Sequence, residues 1–333
     1  MRWNEFVGIV QYWSAAASIF LNGFLTFLII TESPKQLGTY KYLMLYVVWF
    51  EIAYSVVDII VSPSLYIHGS VYMVFVNAQR TIFEKETIRF LLSLWCGFYG
   101  FSIGIFVLPF YYRYLVAIGS NTLKTLNDWR IVLWFGFPMV YGISWFLIET
   151  FLLYQTVEIN EYVRSAILSD LDMNIDDIVL TGPFFYHKTR NGNYVFDFNS
   201  IFGISIAWVT VGISITLIIY FGWKCYKKMK SLMNNISKLR GLQDQLFYAL
   251  LIETIVPVIL MHIPVSILFL LTLFELDVGT IADTLSVTVA LFPVVDPLPT
   301  MFIIKNYRTK IFRMIGFGKS TKKTASSIEL PAI

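Results

Sequence analysis

The sequence contains seven apolar stretches that are each long enough to cross a lipid bilayer as a helix. About 20 predominantly apolar residues are needed to span the hydrocarbon core. The stretches cover residues 9–30, 42–68, 88–112, 130–154, 198–223, 246–274 and 281–304. The sequence therefore predicts an all-α membrane protein, a bundle of seven transmembrane helices that are numbered here as spans 1 to 7.

The composition agrees with a membrane protein and excludes several other classes. Of the 333 residues, 57% are hydrophobic and only 14% are charged. A soluble domain carries about 25% charged residues, and a disordered chain needs low hydrophobicity, so both are excluded. The net charge of +3 gives no reason to expect a nucleic-acid partner. Cys96 and Cys225 are too few for a disulfide framework, and the first stretch is too long for a cleaved signal peptide.

The distribution of Lys and Arg predicts how the bundle is oriented. Cytoplasmic segments of membrane proteins carry an excess of positive charge. With the amino terminus outside, the inner segments hold 18 Lys and Arg residues and the outer segments hold 7. We therefore predict an extracellular amino terminus, a transmembrane domain over residues 1–304, and a partly disordered cytosolic tail over residues 305–333.

A long acidic segment, residues 155–197, connects spans 4 and 5. Clustered carboxylates suit hard cations such as Ca²⁺. However, the run from Asp170 to Asp177 lacks the glycine turn and terminal Glu of a calcium-binding loop. We therefore expect a solvated, exposed loop here and keep a metal site as the weaker alternative.

Five carboxylates lie inside the predicted spans, where ionisable groups are costly and mark functional sites. They are Glu51 and Asp58 in span 2, Glu149 in span 4, Glu253 in span 6 and Asp296 in span 7. From the helical rise, Glu51, Glu253 and Asp296 lie about 10–14 Å from the inner ends of their spans. Three interpretations stay open: an ionic switch, protonated groups that only hydrogen-bond neighbouring helices, and a proton relay.

Arg113, at the inner end of span 3, is the cation nearest to these carboxylates. A buried charge without a partner is costly. We therefore hypothesise that Arg113 pairs with Glu253 or Asp296 at rest, and that the pair breaks on activation. Its neighbours Tyr112 and Tyr114 complete the candidate switch.

Prolines in the last two spans predict where these helices bend. Proline removes one backbone hydrogen bond and kinks a helix. Pro257 and Pro264 lie in span 6, and Pro297 lies in span 7. We predict that these prolines are pivots that let the inner ends move when something binds outside. Static kinks are the alternative.

No pattern of residues indicates catalysis or a bound cofactor. His68, His187 and His262 are scattered, and His262 lies on a different helix face from Glu253. A metal site would need several ligands converging on one point. A Ser-His-Asp signature and a glycine-rich phosphate loop are also missing from the sequence. We therefore predict that the protein is not an enzyme and has no cofactor, metal or disulfide.

Four segments together resemble the nematode seven-helix chemoreceptors of the str and related srj classes (serpentine receptor class r), which include the diacetyl odorant receptor. The segments are Glu51-Ile52-Ala53-Tyr54-Ser55 with Asp58 and Pro63, then Phe110 to Tyr114, then Leu242 to Leu250 with Pro257 and Pro264, and finally Phe292 to Pro297 with Tyr307-Arg308. The likeness runs from span 1 to the start of the tail.

The resemblance implies a G-protein-coupled olfactory receptor in the plasma membrane of sensory-neuron cilia. Its implied partners are a small odorant, a heterotrimeric G protein and trafficking proteins. Arg113 stands where rhodopsin-like receptors carry an arginine between an acidic and an aromatic residue, so its contact with the G protein is implied by position only. The chain departs from the class at Glu253, where Gln is usual. Unlike rhodopsin-like receptors, it has no Cys in the segment 155–197 to bridge to span 3.

Two classes of function remain open. In the first, a ligand binds an outer-half cavity among spans 2, 3, 5, 6 and 7 and shifts an existing equilibrium. Asp58, Tyr99 and Trp208 are its candidate contacts, and the coupling surface is basic. The second class is a transporter or ion channel that uses the intramembrane carboxylates. The lack of an internal repeat disfavours it, because many transporters are built from such repeats.

Overall fold

The computed structural model describes residues 3–189, 191–231, 237–276 and 281–316. Within these residues, seven helices are long and apolar enough to cross a membrane. The predicted seven-helix fold is therefore confirmed. The remainder of the predicted tail, residues 317–333, lies outside the described residues.

The helices follow one another in up-and-down order. Span 1 is α1 (Trp3–Glu32), span 2 is α2 (Tyr40–Val61), span 3 is α3 (Lys85–Ile105) followed directly by α4 (Val107–Ile118), and span 4 is α5 (Ile131–Phe151). The connection to span 5 contains α6 (Val157–Leu171), and span 5 is α7 (Phe198–Ser231). Span 6 comprises α8 (Ser237–Pro257), a π segment (Val258–His262) and α9 (Ile263–Leu273); span 7 comprises α10 (Ile281–Val295) and α11 (Pro297–Ile303); α12 (Lys305–Met314) follows.

A small antiparallel sheet lies across one end of the bundle, which we call the sheet face. Its strands are β1 (Ser64–His68), β2 (Val71–Asn77) and β3 (Ile178–Thr181), in the order β1-β2-β3, and a separate hairpin is formed by β4 (Tyr186–Lys188) and β5 (Tyr194–Phe196). The sheet contacts spans 3, 6 and 7. The opposite end, which carries α12, is called the tail face.

Span 2 is shorter than the predicted range 42–68, because the chain turns at Ser62 and Pro63. Ser62 has a left-handed φ of 45°, and a residue before proline is disfavoured in a helix. The apolar run continues, but as strand β1 rather than as helix. The amide of Gln11 in span 1 donates to the Pro63 carbonyl over 2.8 Å. Apolar periodicity alone could not separate these two structures.

The acidic connection between spans 4 and 5 is folded, which corrects the expectation of a solvated loop. Ile159, Val163 and Ile167 recur every four residues along α6 and are buried. They pack with β2 and β3 in one apolar cluster. Thr156 caps the helix by accepting from the Ile159 amide over 3.2 Å. Most carboxylates of this connection are exposed. Among the described residues, no group of three or more Asp, Glu, His or Cys is placed to hold a metal.

Hydroxyl groups donate hydrogen bonds at two exposed sites on the sheet face. The acceptor is a carboxylate at the first site and a backbone carbonyl at the second. Hydroxyl donors on Ser169 and Tyr66 hold the pKa of Asp170 below its ordinary value. Burial raises the pKa of the Tyr186 phenol, which stays protonated and donates to the Leu273 carbonyl over 2.9 Å. The second bond fastens the β4–β5 hairpin to the end of span 6.

Spans 3 and 4 approach closely because glycines line their contact. Small residues let membrane helices approach each other closely, so that van der Waals packing can hold them together. A Cβ atom on Gly97 would lie 3.1 Å from the carbonyl oxygen of Gly142. A Cβ atom on Gly100 would lie only 2.3 Å from Cγ of Trp145. These two spans are therefore closely packed against each other.

We predict that Gly100→Ala destabilises the bundle by about 1–3 kcal/mol, the usual cost of overpacking. The thermal unfolding midpoint of the purified protein should fall accordingly. Gly136→Ala in span 4 is the matched control, because nothing lies within 4 Å of its Cβ position. An equal midpoint for the two variants would contradict this account of the contact between spans 3 and 4.

The start of the predicted tail is a docked helix. Tyr307 and Ile311 of α12 are buried against the bundle. Burial raises the pKa of Tyr307 to about 12, so its phenol keeps its proton and forms a 2.6 Å hydrogen bond with Ser33. Lys310 pairs with Glu32 over 2.8 Å. Residues 305–314 are thus part of the folded domain.

Candidate functional site

Span 6 is interrupted at the prolines that the sequence singled out. The helix α8 ends at Pro257, the π segment follows, and α9 carries Pro264 in its first turn. A proline leaves the carbonyl four residues earlier without its donor, and the wider π turn accommodates that loss. Such segments are rare and occur frequently at functional sites. Whether the break is a pivot stays a prediction.

A cavity of about 200 Å³ opens beside this break, and we call it the span 3–5–6 cavity. It lies near the middle of the three spans rather than in the outer half that the sequence suggested. Its lining residues are mostly aliphatic, with five polar ones among them. The polar residues are Ser102 of span 3, Ser214 of span 5, and Thr254, His262 and Ser266 of span 6.

Two hydroxyls in this cavity have no hydrogen-bond partner among the described residues. That of Ser214 is buried, and that of Ser266 is partly exposed. His262 is satisfied differently, since its Nδ1 lies 3.2 Å from the Tyr99 hydroxyl. Ser102 donates to the Tyr99 carbonyl over 2.6 Å. The cavity therefore has two unused hydroxyls in a mostly apolar surrounding.

The three predicted ligand contacts are placed differently from one another. Tyr99 stands directly behind the span 3–5–6 cavity, through Ser102 and His262. Asp58 does not line that cavity; its carboxylate accepts from Trp95 Nε1 over 2.8 Å. Trp208 lies on the outer side of span 5 with 44% of its surface exposed, so we withdraw it as a cavity residue. The sequence alone predicts the depth of these residues in the membrane but not the face of the helix on which they lie.

Arg113 is buried at the tail end of span 3 and binds Gln243 of α8 instead of a carboxylate. Its Nη1 donates to the Gln243 side-chain oxygen, and its guanidinium lies 4.3 Å from the centre of the Tyr40 ring. Its Nε and Nη2 have no hydrogen-bond partner within the described chain. The hypothesised ion pair with Glu253 or Asp296 is thus wrong for this conformation. The neutral side chain of Gln243 and the aromatic ring of Tyr40 contact the guanidinium where a carboxylate was expected.

The tyrosines beside Arg113 are packing partners in this structure. The ring of Tyr112 lies 5.1 Å from that of Tyr40, and the ring of Tyr114 lies 5.6 Å from that of Phe221 in span 5. Both contacts fix α4 between its neighbours. Arg113 is therefore the residue of this triplet whose polar groups are free to change partners.

The structure brings Glu51, Glu253 and Asp296 together, as their depths suggested. They line a cavity of about 20 Å³, which has room for about one water molecule. Thr300 of span 7 donates to Glu253 of span 6. Glu51 of span 2 and Asp296 of span 7 line the same cavity. The cluster joins spans 2, 6 and 7.

Pro297 interrupts span 7 at this cluster. Because it has no N–H, the carbonyl of Pro293, four residues earlier, lacks its helical donor. Asn22 of span 1 supplies that donor over 3.1 Å. A neighbouring helix thus satisfies the broken turn, as is common inside membranes.

Gln245, two residues beyond Gln243, fastens α8 to the tail helix. Its side-chain oxygen accepts from the Lys305 amide over 2.8 Å. A groove of about 370 Å³ lies between these elements on the tail face. Its lining residues are Pro34, Gln36, Gly241, Leu242, Gln245, Lys305 and Asn306.

The sequence did not predict the roles of Gln243, Ser214 and His262 in this arrangement. Each is a polar side chain within or beside an apolar stretch, and that pattern is a usable signal. Charge alone does not reveal such neutral groups.

Comparison with known proteins identifies the family. The profile described as "Serpentine type 7TM GPCR chemoreceptor Str" matches residues 7–312. The chain belongs to this family. Its similarity to the Caenorhabditis elegans protein "G-protein coupled receptor str-217" is 37% identity over 306 residues, covering 91% of this chain and 88% of the relative.

More distant relatives agree with the Str assignment. "Serpentine receptor class r-10" of Caenorhabditis elegans is 25% identical, with 84% of this chain and 83% of the relative covered. "Serpentine receptor class J-38" of the same organism is 24% identical, with 96% and 94% covered. The predicted resemblance is thereby confirmed. A chemoreceptor role in the membrane follows for this Str protein.

Proposed function

We propose that this Str protein is a G-protein-coupled olfactory receptor that binds a small environmental chemical within the bundle. The sheet face is extracellular and the tail face is cytosolic. Support for this orientation comes from the excess of Lys and Arg at the tail face. Lys224 and Lys227 lie 5.6 Å and 5.5 Å from the ring of Trp223, an aromatic and basic arrangement typical of a membrane boundary. The site of action is the plasma membrane of sensory cilia.

One observation carries the proposal: the span 3–5–6 cavity lies against the break in span 6. Pro257, Val258, His262 and Ile263 belong to both. On the sheet side, α9 is fastened, because Tyr186 bonds to its last turn and the Tyr72 ring packs 4.7 Å from Phe269. A ligand in the cavity therefore contacts the junction between α9, the half of span 6 that is fastened to the sheet face, and α8, the other half.

The second half of span 6, α8, is held by side-chain hydrogen bonds to two other spans. Gln243 accepts from Arg113 of span 3, and Glu253 accepts from Thr300 of span 7. A ligand that favours a different angle at the π segment shifts the population toward states in which these bonds are broken. Arg113 is then free to contact the G protein.

The coupling surface consists of the basic segments around Arg113 at the tail face. They are the described parts of residues 224–245 and the tail from Lys305 to Arg313. Their charge also attracts anionic lipids of the inner leaflet. Trafficking partners act on the same protein in the cell.

A reconstituted exchange assay tests this proposed function. The purified receptor in lipid nanodiscs is mixed with heterotrimeric G proteins, and guanine-nucleotide exchange is measured over a panel of small odorants. At least one odorant should accelerate exchange several-fold. Ion currents or solute uptake in proteoliposomes without any G protein, together with no exchange, would contradict the proposal and favour a transporter or channel.

We predict that Gln243→Ala raises ligand-independent exchange several-fold. It removes the one described hydrogen-bond acceptor of Arg113 and so destabilises the resting contact by about 1 kcal/mol or more. Gln36→Ala, a change of the same type in the tail-face groove beside Gln245, is the control. Basal exchange that is equal in both variants would show that the contact does not restrain the receptor.

A further inference from the structure

We infer that the span 3–5–6 cavity binds small apolar molecules with a hydrogen-bond acceptor, and that these molecules enter sideways from the bilayer. This inference rests on the proposed function, since it names the ligand class of the same receptor. It has three supports: the size of the cavity, the unpaired hydroxyl of Ser214, and the side on which the cavity opens.

The size and lining select a small, apolar occupant. The volume is about 200 Å³, and an apolar cavity of about 150 Å³ suffices for benzene. Charged side chains are missing from the lining residues, all of which the structure describes. Charged or strongly polar ligands would lose hydration without compensation. A molecule of about seven to ten heavy atoms fits.

Ser214 selects one hydrogen-bonding group on that occupant. Its hydroxyl is 1% exposed and lines the cavity without a protein partner. Two other hydroxyls of this lining already donate, since Ser102 bonds to the Tyr99 carbonyl and Thr254 bonds to the Leu250 carbonyl. The hydroxyl of Ser266 is partly exposed and has no partner among the described residues. An acceptor atom on the ligand would satisfy the free O–H. An orphaned buried donor is costly, so the hydroxyl favours such a ligand over a hydrocarbon.

The cavity opens between spans 5 and 6, toward the lipid. Of its lining residues, Ile215 is 46% exposed, Ile263 49% and Ile267 44%, and exposed aliphatic residues of a membrane helix at this depth face hydrocarbon. The route from the aqueous side is covered, because the buried strand β2 lies across the bundle and contacts α9. Ligands that partition into the bilayer therefore reach the cavity laterally.

The test is photolabelling in nanodiscs, which needs no G protein. The probe is a small alkyl diazirine, and labelled peptides are located by mass spectrometry. Dipropyl ether and heptane are the competitors, because they differ only by an oxygen in place of a methylene group. At equal concentrations in the bilayer, the ether should compete about three- to tenfold better, as one hydrogen bond allows. In Ser214→Ala, that advantage should disappear.

Two matched pairs of variants locate the cavity and its opening. Val211→Phe fills the cavity and should abolish labelling of span 6 peptides near the π segment. Val209→Phe, two residues away and 60% exposed, should leave labelling intact. Ile267→Trp at the opening should slow the onset of labelling, whereas Ile252→Trp on the exposed side of α8 should not.

Several outcomes would overturn the inference. Equal competition by ether and heptane would remove the role of Ser214. Labelling that survives Val211→Phe would place the occupant elsewhere. A co-purifying phospholipid whose acyl chain blocks labelling, and which the ether fails to displace, would identify the cavity as a lipid site. Specific labelling without nucleotide exchange would leave this inference intact and contradict the proposed function instead.

Discussion

Arg113→Ala is expected to reduce ligand-stimulated nucleotide exchange by about tenfold or more, a loss equivalent to about 1.4 kcal/mol. Arg113 is 3% exposed, and two of its nitrogens are unpaired within the described chain. Such a charge is restrained by few bonds and gains much from new partners, since hydrogen bonds to charged groups are worth about 1.5–3 kcal/mol. Surface expression should be retained, because no ion pair is broken.

The control for this variant is Arg130→Ala, which removes the same charge at the same face. Arg130 is 52% exposed and pairs with Asp128, a surface pair of little energetic weight. Its exchange rate should remain close to that of the unchanged receptor. If both variants lost activity equally, the effect would come from the net charge of the tail face and not from the buried position of Arg113.

The second large effect is expected at Glu253 of span 6. Glu253→Ala removes the acceptor of the Thr300 hydroxyl and leaves spans 6 and 7 without this bond. Basal exchange should rise by about tenfold if the bond contributes about 1.4 kcal/mol to the resting state. Glu253→Gln keeps an acceptor oxygen and should restore low basal exchange.

A double-mutant cycle with Thr300→Val separates the bond from other effects. Directly contacting residues usually show interaction energies of about 0.5–3 kcal/mol. The basal activity of the double variant should therefore match that of Glu253→Ala alone. Additive effects of the two substitutions would show that Glu253 acts through its neighbours Glu51 and Asp296 instead of through Thr300.

The sequence was sufficient to predict the helix bundle but not the strands and the helix α6 that cover its sheet face. Seven apolar runs determine seven spans, because a helix is the structure that satisfies the backbone within lipid. The hairpin of β1 and β2 was missed because the apolar run of span 2 continues through Pro63 into a strand. The helix α6 was not predicted, because the many acidic residues of this segment are typical of an exposed loop. The helical spacing of Ile159, Val163 and Ile167 was the signal for it.

Within the candidate site, residue depth was predictable and residue pairing was not. Counting residues along a helix placed Glu51, Glu253 and Asp296 at one level, and the structure brings them together. The partner of Arg113 could not be found in this way, because charge considerations favour a carboxylate over Gln243. Rotation of each helix about its axis decides such contacts, and it is set by packing against neighbours.

The central claim is that α8 moves relative to α9 at the π segment when the receptor activates. Spin labels on cysteines at Val132 of span 4 and Tyr248 of α8, both exposed, report this motion in nanodiscs. A second pair at Phe90 and Leu273, on the sheet side, is the reference. The native Cys96 and Cys225 are buried and are replaced beforehand.

The decisive measurement is the change in both distances when nucleotide-free G protein binds. The account predicts that the distance from Val132 to Tyr248 increases by several ångströms while the distance from Phe90 to Leu273 stays constant. An unchanged distance from Val132 to Tyr248, or equal changes in both pairs, would contradict it, since span 6 would then be static or would move as one rigid helix.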